Sequence, residues 1–392
     1  MDANVPGEAA TLDAVAARQR LVRRADMVAC KVAFIDCKMP GSHLKENYSL
    51  IGAGVSQSAD QVVNLVEPHG FSLGVAAMPA GIVNNLHLHY TAEVFMVYSG
   101  QWTFRWGADG QDGEITGGPG DVVSVPTWIF RGFTNTGADD GWIFTALGGD
   151  DTGGIIWHPS ILETASAHGL YLTRRNMMVD TAAGAARPDD AELLPPIDRA
   201  SIDGLRRYST AEMRRRVVAV ADRQWSGRAL LDSVLPGHAS ALAPVLGHGM
   251  GEDRDQALPI ADPHGFSLEW LRIAPGERVG RFALAEKQVL IVFKGAIEIT
   301  LSGPEDTTDD TVTVRVESQD LFSVPSQVWR SIASVGGEPA ELAMLIAGDG
   351  RKHARWEPAV VSAAAAAGWA LDHNAYLAPR HLLPEAHMLA AE

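Results

Sequence analysis

Two histidines and a glutamate lie close together in GIVNNLHLHYTAEVFMVYSG, the sequence from Gly81 to Gly100. His87 and His89 are two residues apart, and residues i and i+2 of a β-strand project from the same face, so both imidazoles are expected to point together. Glu93 begins EVFMVY, a second predicted strand, and pairing of the two strands would bring its carboxylate to the imidazoles. Two histidines and a carboxylate with open coordination positions form the ligand set of non-haem Fe(II) oxygenases, and they also suit Mn, Ni or Zn. The sequence therefore predicts a metal site, with a polar cluster left over from a lost site as the alternative.

The elements that must position these residues occur twice in the chain. EPHGFSL, which begins at Glu67, recurs as DPHGFSL from Asp262, 195 positions later, and Gly276 follows Gly81 at the same interval. Predicted helices precede both copies, at residues 11–27 and 209–224. This repetition indicates two copies of one folding unit.

The spacing G-x5-H-x-H-x3-E-x6-G of residues 81–100 resembles the first motif of the cupin superfamily. The second cupin motif is G-x5-P-x-G-x2-H-x3-N, and residues 120–135 read GDVVSVPTWIFRGFTN. Three residues match that motif: Gly120, Pro126 and Asn135. Trp128 stands where glycine is usual, and Arg131 stands where the third metal-binding histidine belongs. The resemblance implies a mainly β fold, a bicupin of two tandem jelly-roll barrels (double-stranded β-helices) with flanking helices.

The two copies differ at the positions of the three candidate ligands. We expect an N-terminal cupin domain over residues 1–190, which carries the metal site, and a degenerate C-terminal cupin domain over residues 191–392 without metal ligands. In the second copy Phe282, Leu284 and Gln288 replace the two histidines and the glutamate. Features shared by both copies are interpreted as architecture, and features unique to the first copy as chemistry.

Arg131 has a counterpart in the second copy, Arg330, and three placements are open for it. It could pair with Glu93, so that its permanent charge replaces a metal ion. It could lie behind a metal held by three ligands and bind a substrate carboxylate through two hydrogen bonds. It could also point out of the barrel. The substrate-binding and catalytic placement is our expectation.

Among bicupins, the chain resembles the gentisate 1,2-dioxygenases in length, in its two-barrel layout and in the Pro-Thr-Trp that begins the second motif. Those enzymes use three histidines, whereas this sequence keeps Glu93 and has no third histidine. The resemblance implies an Fe(II)-dependent dioxygenase that acts on a small hydroxylated, aromatic carboxylate. Four aromatic residues are candidates for an apolar substrate wall, although strand aromatics also pack in barrel cores: Trp102, Phe104, Trp106 and Trp128. Asn84 and Asn85 precede the ligands and are expected either to reach the mouth of the site or to be solvated.

Two other classes of function remain open. One is a non-redox cupin enzyme, a lyase, isomerase or decarboxylase, since jelly-roll barrels host many reactions. The other is a non-catalytic, small-ligand-binding bicupin, which an ion pair between Arg131 and Glu93 without metal would favour.

Composition restricts the partners. The 392 residues carry a formal net charge of −16, which argues against nucleic acid or an anionic membrane as a partner. The sequence has two cysteines and no apolar run long enough to span a membrane, and its first residues do not form a signal peptide. We therefore expect a cytoplasmic protein that acts on a small molecule, and a homo-oligomer.

Overall fold

The structure, a computed structural model, describes residues 14–303 and 311–388. The described residues form two compact units. The first unit comprises residues 27–222, and the second comprises residues 14–26 together with 223–388. The boundary at residues 190 and 191 remains a prediction about the duplicated segments, because the compact units divide the chain differently.

The segment at the beginning of the chain is part of the second unit and is less helical than its sequence predicts. It contains helix α1 (Ala14–Gln19), strand β1 (Leu21–Val22) and a 3-10 turn at Arg24–Asp26. The helix ends at Gln19 because the next residues form strand pairs, Leu21 with Phe322 and Val22 with Leu321. Residues 11–13 of the predicted helix lie outside the described residues.

The first unit contains the strands and helices of the first copy. Their bounds are β2 Glu46–Ile51, β3 Val63–Leu65, β4 Phe71–Met78, β5 Val83–His89, β6 Glu93–Ser99, β7 Trp102–Trp106, β8 Gly113–Gly117, β9 Val122–Val125, β10 Arg131–Asn135, β11 Gly141–Gly148, β12 Ile155–Trp157, α2 Pro159–Ala167, β13 Leu170–Leu172, β14 Met178–Asp180, α3 Arg199–Asp203, α4 Thr210–Arg214 and β15 Val217–Val218. One sheet has the order β12-β5-β10-β7-β8, and the facing one has the order β15-β9-β6-β11-β4-β2-β3. These sheets make the jelly roll, and β5, β6 and β10 carry the candidate site.

The second unit repeats this strand order. Its elements are β16 Ser240–Leu246, β17 Phe266–Ile273, β18 Arg278–Ala283, β19 Gln288–Lys294, β20 Ala296–Ser302, β21 Val312–Val316, β22 Leu321–Val324, β23 Trp329–Val335, β24 Ala340–Ala347, β25 Arg355–Trp356, α5 Pro358–Ala366, β26 Trp369–Leu371 and β27 Leu377–Pro379. The sheet β25-β18-β23-β20-β21 corresponds to β12-β5-β10-β7-β8, and β1-β22-β19-β24-β17-β16 corresponds to the other sheet. The predicted fold class, mainly β with two tandem jelly-roll barrels and flanking helices, is confirmed.

Each barrel receives an outer strand from the segment that precedes the other copy in sequence. Strand β15 follows the first copy's own strands and pairs with β9, while β1, at the start of the chain, pairs with β22. The predicted helix at 209–224 therefore breaks after Arg214, because Val217 and Val218 hydrogen-bond to a sheet edge and β-branched residues favour strands.

The motif glycines occupy turns that require a positive φ. Gly100 has φ 86°, and a Cβ there would lie 2.7 Å from the Cα of Gly141. Gly81 has φ 78°, and Gly276 and Gly295 repeat these turns in the second unit. The spacing of the glycines in the first motif thus reflects two tight turns, since glycine adopts this conformation without steric cost.

The backbone at Trp128 has the left-handed conformation that favours glycine, the usual residue at this position of the second cupin motif. Its φ is 56°, and its counterpart Gln327 has φ 62°. A left-handed backbone costs an L-residue roughly 1 kcal/mol or more. We expect the free energy of unfolding of Trp128→Gly to exceed that of Trp128→Ala by about 1 kcal/mol, which raises its urea midpoint. Both variants lose the indole contact with Tyr90, and only the alanine keeps a Cβ in the left-handed conformation. Gln327→Gly and Gln327→Ala are the parallel pair, and equal midpoints within each pair would contradict this account.

The interior of the first barrel is lined by aromatic and branched side chains. Trp102, Phe104 and Trp106 are each at most 1% exposed and pack with Phe95 and Phe133.

No helix among residues 14–303 and 311–388 is long and apolar enough to cross a membrane.

Candidate metal and substrate site

The two predicted histidine ligands lie side by side on β5. Their ring centroids are 4.8 Å apart, and each residue is 1% exposed. The Nδ1 atom of His87 lies 2.6 Å from the carbonyl oxygen of Asn85, and that of His89 lies 3.2 Å from the carbonyl oxygen of Gly154. A backbone carbonyl accepts a hydrogen bond from a protonated Nδ1, so this arrangement selects the tautomer with an unprotonated Nε2 on both rings. Both histidines are thus oriented as metal ligands commonly are.

Glu93 completes the group from the start of β6. One ligand atom from each of His87, His89 and Glu93 lies within 4.8 Å of the others, and Glu93 Oε2 is 3.5 Å from His89 Nε2. The residues present therefore fit a divalent cation in donor type, tautomer and proximity. The structure brings the three predicted ligands together, and metal binding itself stays a prediction.

Arg131 enters the site from β10, directly across the strand pair from His87. Its Nε donates to Glu93 Oε2 at 3.2 Å, and its NH1 donates to the carbonyl oxygen of Ile129 at 3.2 Å. The side chain is 1% exposed, and among the described residues its NH2 has no hydrogen-bond partner. Of the three placements open to the sequence, the outward one is wrong, and the ion pair with Glu93 is present. Its catalytic and substrate-binding role stays a prediction.

Burial sets the protonation of this cluster. It lowers the pKa of His87 and His89 well below the usual range, and the positive charge of Arg131 acts in the same direction. Burial raises the pKa of the Glu93 carboxyl, and Arg131 opposes that shift. Neutral imidazoles are the form that binds a cation, and a bound cation would also keep Glu93 ionised.

The ligand group borders a small cavity in the first unit. The cavity has a volume of about 60 Å³, several times the minimum that one water molecule needs. Its lining includes the three ligands, Phe34 and Phe133. None of the four candidates for an apolar wall lines this cavity: Trp102, Phe104 and Trp106 pack in the core, the alternative that strand alternation favoured, and Trp128 is 44% exposed. The reason is strand alternation, which directs those three side chains into the tightly packed part of the barrel.

A buried lysine at this cavity was not identified from the sequence. Lys45 is 5% exposed, and its ammonium donates to Asn84 Oδ1 at 2.6 Å and to Asp36 Oδ1. Asn84 is buried rather than solvated. Asn85 connects His87 to this group, because its carbonyl oxygen accepts from His87 Nδ1 and its side-chain amide donates to Asp36 Oδ2 at 3.0 Å. Asp36 also accepts from Ser42 Oγ at 2.7 Å. The polar network therefore extends from the ligands to a second cation.

The second unit shows which of these residues are specific to the first. Phe282, Leu284 and Gln288 occupy the ligand positions and are at most 1% exposed, as predicted for a plugged barrel. Arg330 NH1 donates to Gln288 Oε1 at 3.2 Å, and its NH2 donates to the carbonyl oxygen of Val328 at 2.8 Å. Both barrels thus contain a buried arginine that donates to the side chain at the position of Glu93 or Gln288. In contrast to Arg330, Arg131 leaves its NH2 without a partner among the described residues.

Comparison with known proteins supports the fold and no closer relationship. No protein-family model matches the sequence. No curated protein matches it either. Three solved structures are similar over most of the chain at 10% sequence identity. They are the oxalate decarboxylase formate complex of Lactobacillus farciminis (TM-score 0.52, covering 84% of this chain and 86% of that one), vicilin from hazelnut, Corylus avellana (0.51, 86% and 87%), and oxalate decarboxylase from Bacillus subtilis at pH 4.6 (0.50, 85% and 77%). This chain therefore has the fold of two tandem cupin barrels.

Proposed function

We propose that the chain is a non-redox, divalent-metal-dependent cupin enzyme that cleaves a carbon–carbon bond of a small carboxylate, as a decarboxylase does. The observation that carries this proposal is the His87, His89 and Glu93 group, with both Nε2 atoms unprotonated, at the edge of a small buried cavity. Two of the similar structures are named as oxalate decarboxylases, and a small acid of that kind suits the size of this cavity.

The predicted dioxygenase is not supported by these observations. The similar structures reported above are decarboxylases and a seed globulin, and none of them is a gentisate dioxygenase. Nothing in the site selects Fe(II) over Mn, Ni or Zn, so a divalent cation is the cofactor we propose.

The residues divide the chemistry between them. His87, His89 and Glu93 would hold the cation, which when bound supplies a Lewis acid for a substrate carboxylate. Arg131 orients the Glu93 carboxylate through a charge-assisted hydrogen bond. The buried barrel wall excludes bulk water, which strengthens each of these electrostatic interactions. Decarboxylation leaves an electron pair on the adjacent carbon and takes up one proton there, so it consumes no oxidant.

Metal content and gas exchange test this proposal. We expect about one divalent metal ion per chain by elemental mass spectrometry. The matched control is His87→Phe/His89→Leu, which copies Phe282 and Leu284 of the second unit and should lose the metal without opening a void. The metal-loaded protein should release CO2 from one member of a panel of small carboxylates, without O2 uptake. If the protein instead consumes O2 and releases no CO2, the decarboxylase proposal is wrong and the dioxygenase interpretation is favoured.

A non-catalytic ligand-binding protein is the second candidate. The ion pair between Arg131 and Glu93 favours it, because a guanidinium beside that carboxylate can take the place of a cation. Protein that binds no metal, even after incubation with Mn, Fe, Ni or Zn, would establish this candidate and exclude the enzyme.

A further inference from the structure

Lys45 differs from the rest of the site in lying outside the ligand group while carrying a buried charge at the same cavity. Lysine is almost never fully buried without a partner. Here the partners of its ammonium are Asp36 and Asn84, and the aromatic faces of Phe34 and Trp157 lie 5.1 and 5.6 Å away. An ammonium has three donors, and these two hydrogen bonds use two of them. The third remains for a ligand in the cavity.

The second unit shows that the fold does not require this lysine. Asp232 corresponds to Asp36 and is equally buried. Its Oδ2 pairs with His238 Nδ1 at 2.8 Å and accepts from the Gly280 N–H, while its Oδ1 has no hydrogen-bond partner among the described residues. Lys45 precedes Glu46, which pairs with Ala77, and Ser240 precedes Ala241, which pairs with Arg272, 195 positions after Ala77. Ser240 therefore stands where Lys45 stands in the first unit.

Asn84 is likewise replaced by an apolar residue, Val279, at the corresponding strand position. The aspartate belongs to the architecture of both barrels. The lysine and the asparagine occur only beside the ligand group.

The charges around the cavity indicate what this lysine does. Lys45 and Asp36 contribute +1 and −1, and Arg131 and Glu93 contribute +1 and −1, so the four buried side chains sum to zero. Glu46, which also lines the cavity, is half-buried and pairs with Lys31 at 3.2 Å. A bound divalent cation therefore adds two positive charges to a buried site. Uncompensated buried charge is costly, so the favoured ligand is one that carries two negative charges.

We propose that Lys45 binds the second anionic group of the substrate, and that the substrate is a small dianion, either a dicarboxylate or an acid whose second oxygen is ionised. One group lies at the His87, His89 and Glu93 cluster, and the other accepts the third donor of the Lys45 ammonium. The small cavity volume beside the ligand group, about 60 Å³, favours a dianion of a few carbon atoms. This inference rests on the proposed function for its cation, but its test does not require turnover.

The test measures binding of malonate, a dianion, and of acetate, a monoanion, by isothermal titration calorimetry at pH 7.5. The wild type retains the Lys45–Asp36 ion pair, and Asp36→Asn/Lys45→Met removes both charges together, so neither protein has an unpaired buried charge at this position. In the metal-loaded protein we expect the double variant to bind malonate roughly 10- to 100-fold more weakly than the wild type, because a hydrogen bond to a charged group is lost. Acetate affinity and metal content should be the same in both.

Each outcome separates the inference from the proposed function. Equal malonate affinity of the wild type and the double variant, with metal bound in both, would overturn the inference and leave the enzyme intact. If the wild type takes up no metal, the proposed enzyme fails. In that case, loss of malonate binding only in the double variant would keep Lys45 as an anion-binding residue of a non-catalytic protein. No malonate binding to any of these proteins would overturn the inference.

Discussion

Glu93→Gln is expected to keep the fold of the first barrel while reducing its affinity for a divalent cation by about 100-fold or more. The substitution replaces an anionic ligand with a neutral amide of the same shape. Its effect on affinity is large because the buried site loses the negative charge of one ligand, and an amide oxygen is a weaker donor to the cation than a carboxylate oxygen. The measurement is a metal titration of the purified variant, followed by elemental mass spectrometry after dialysis.

The second unit supplies the reason to expect an intact fold. Gln288 occupies the position of Glu93 there, and its Oε1 accepts a hydrogen bond from Arg330 at 3.2 Å in a fully buried setting. Arg330 is also held by carbonyl oxygens, so a buried arginine in this barrel tolerates a neutral partner. Glu93→Gln should reproduce that pair with Arg131.

Glu114→Gln, at an exposed position on β8, is the matched control for Glu93→Gln. It should bind the cation as the wild type does. Undiminished metal affinity in Glu93→Gln would show that the carboxylate is a structural partner of Arg131 alone. A large loss of stability in Glu93→Gln would instead mean that the two barrels are not equivalent around the arginine.

The ligand group was predictable from sequence because its geometry is local. His87 and His89 share one face of a strand, and Glu93 follows after a turn that residues 81–100 encode. The duplication supplied a second prediction, the plugged interior at Phe282 and Leu284, and both side chains are buried in the structure. Both inferences depend only on strand periodicity and on residues within one hairpin.

The rest of the site depends on contacts between distant segments. Lys45 lies 39 positions before Asn84, and no short-range pattern marks it as a cavity residue. The useful signal was the second copy, in which the aspartate is kept as Asp232 while Ser240 replaces the lysine, but the alignment requires the strand register. Arg131 could not be placed for a related reason: all three placements are compatible with its sequence, and packing selects among them.

Comparison of Glu252 in the second unit with Gln57 in the first predicts that replacing Glu252 has a large effect on the stability of the second unit. Glu252 is 2% exposed, and burial raises the pKa of its carboxyl from 4.5 to about 8, with the nearby Asp232 acting in the same direction. Its Oε1 accepts from Trp356 Nε1 at 2.7 Å, and among the described residues its Oε2 has no hydrogen-bond partner. The first unit has Gln57, 195 positions earlier, whose Oε1 accepts from Trp157 Nε1 at 3.1 Å. A side-chain amide therefore already accepts the equivalent tryptophan hydrogen bond in the first barrel.

The direction of the pH effect follows from proton uptake. Below pH 4.5 the carboxyl is protonated in both the folded and the unfolded chain. Between 4.5 and about 8 the folded chain holds a proton that the unfolded chain has released, so the free energy of unfolding falls as pH rises. Above about 8 that loss is complete, and the difference between the two pKa values corresponds to roughly 5 kcal/mol.

Glu252→Gln should therefore remove this pH dependence and stabilise the second unit at alkaline pH. We expect little difference from the wild type near pH 4.5 and a higher free energy of unfolding at pH 9, on the order of 5 kcal/mol, because the amide carries no charge to bury. Urea unfolding at both pH values, monitored by hydrogen–deuterium exchange in β19 and β24, measures the effect within this unit.

Two control variants decide whether Glu252 itself is responsible. Glu269→Gln removes another buried carboxyl, whose pKa burial raises to about 7, and should give a smaller gain that is complete at lower pH. Glu385→Gln changes an exposed side chain and should follow the wild type at both pH values. Parallel curves for wild type and Glu252→Gln from pH 4.5 to 9 would show that Glu252 is ionised in the folded chain. Because Gln57 already fills the equivalent place, a destabilised Glu252→Gln at pH 9 would contradict the equivalence of the two barrels at this tryptophan.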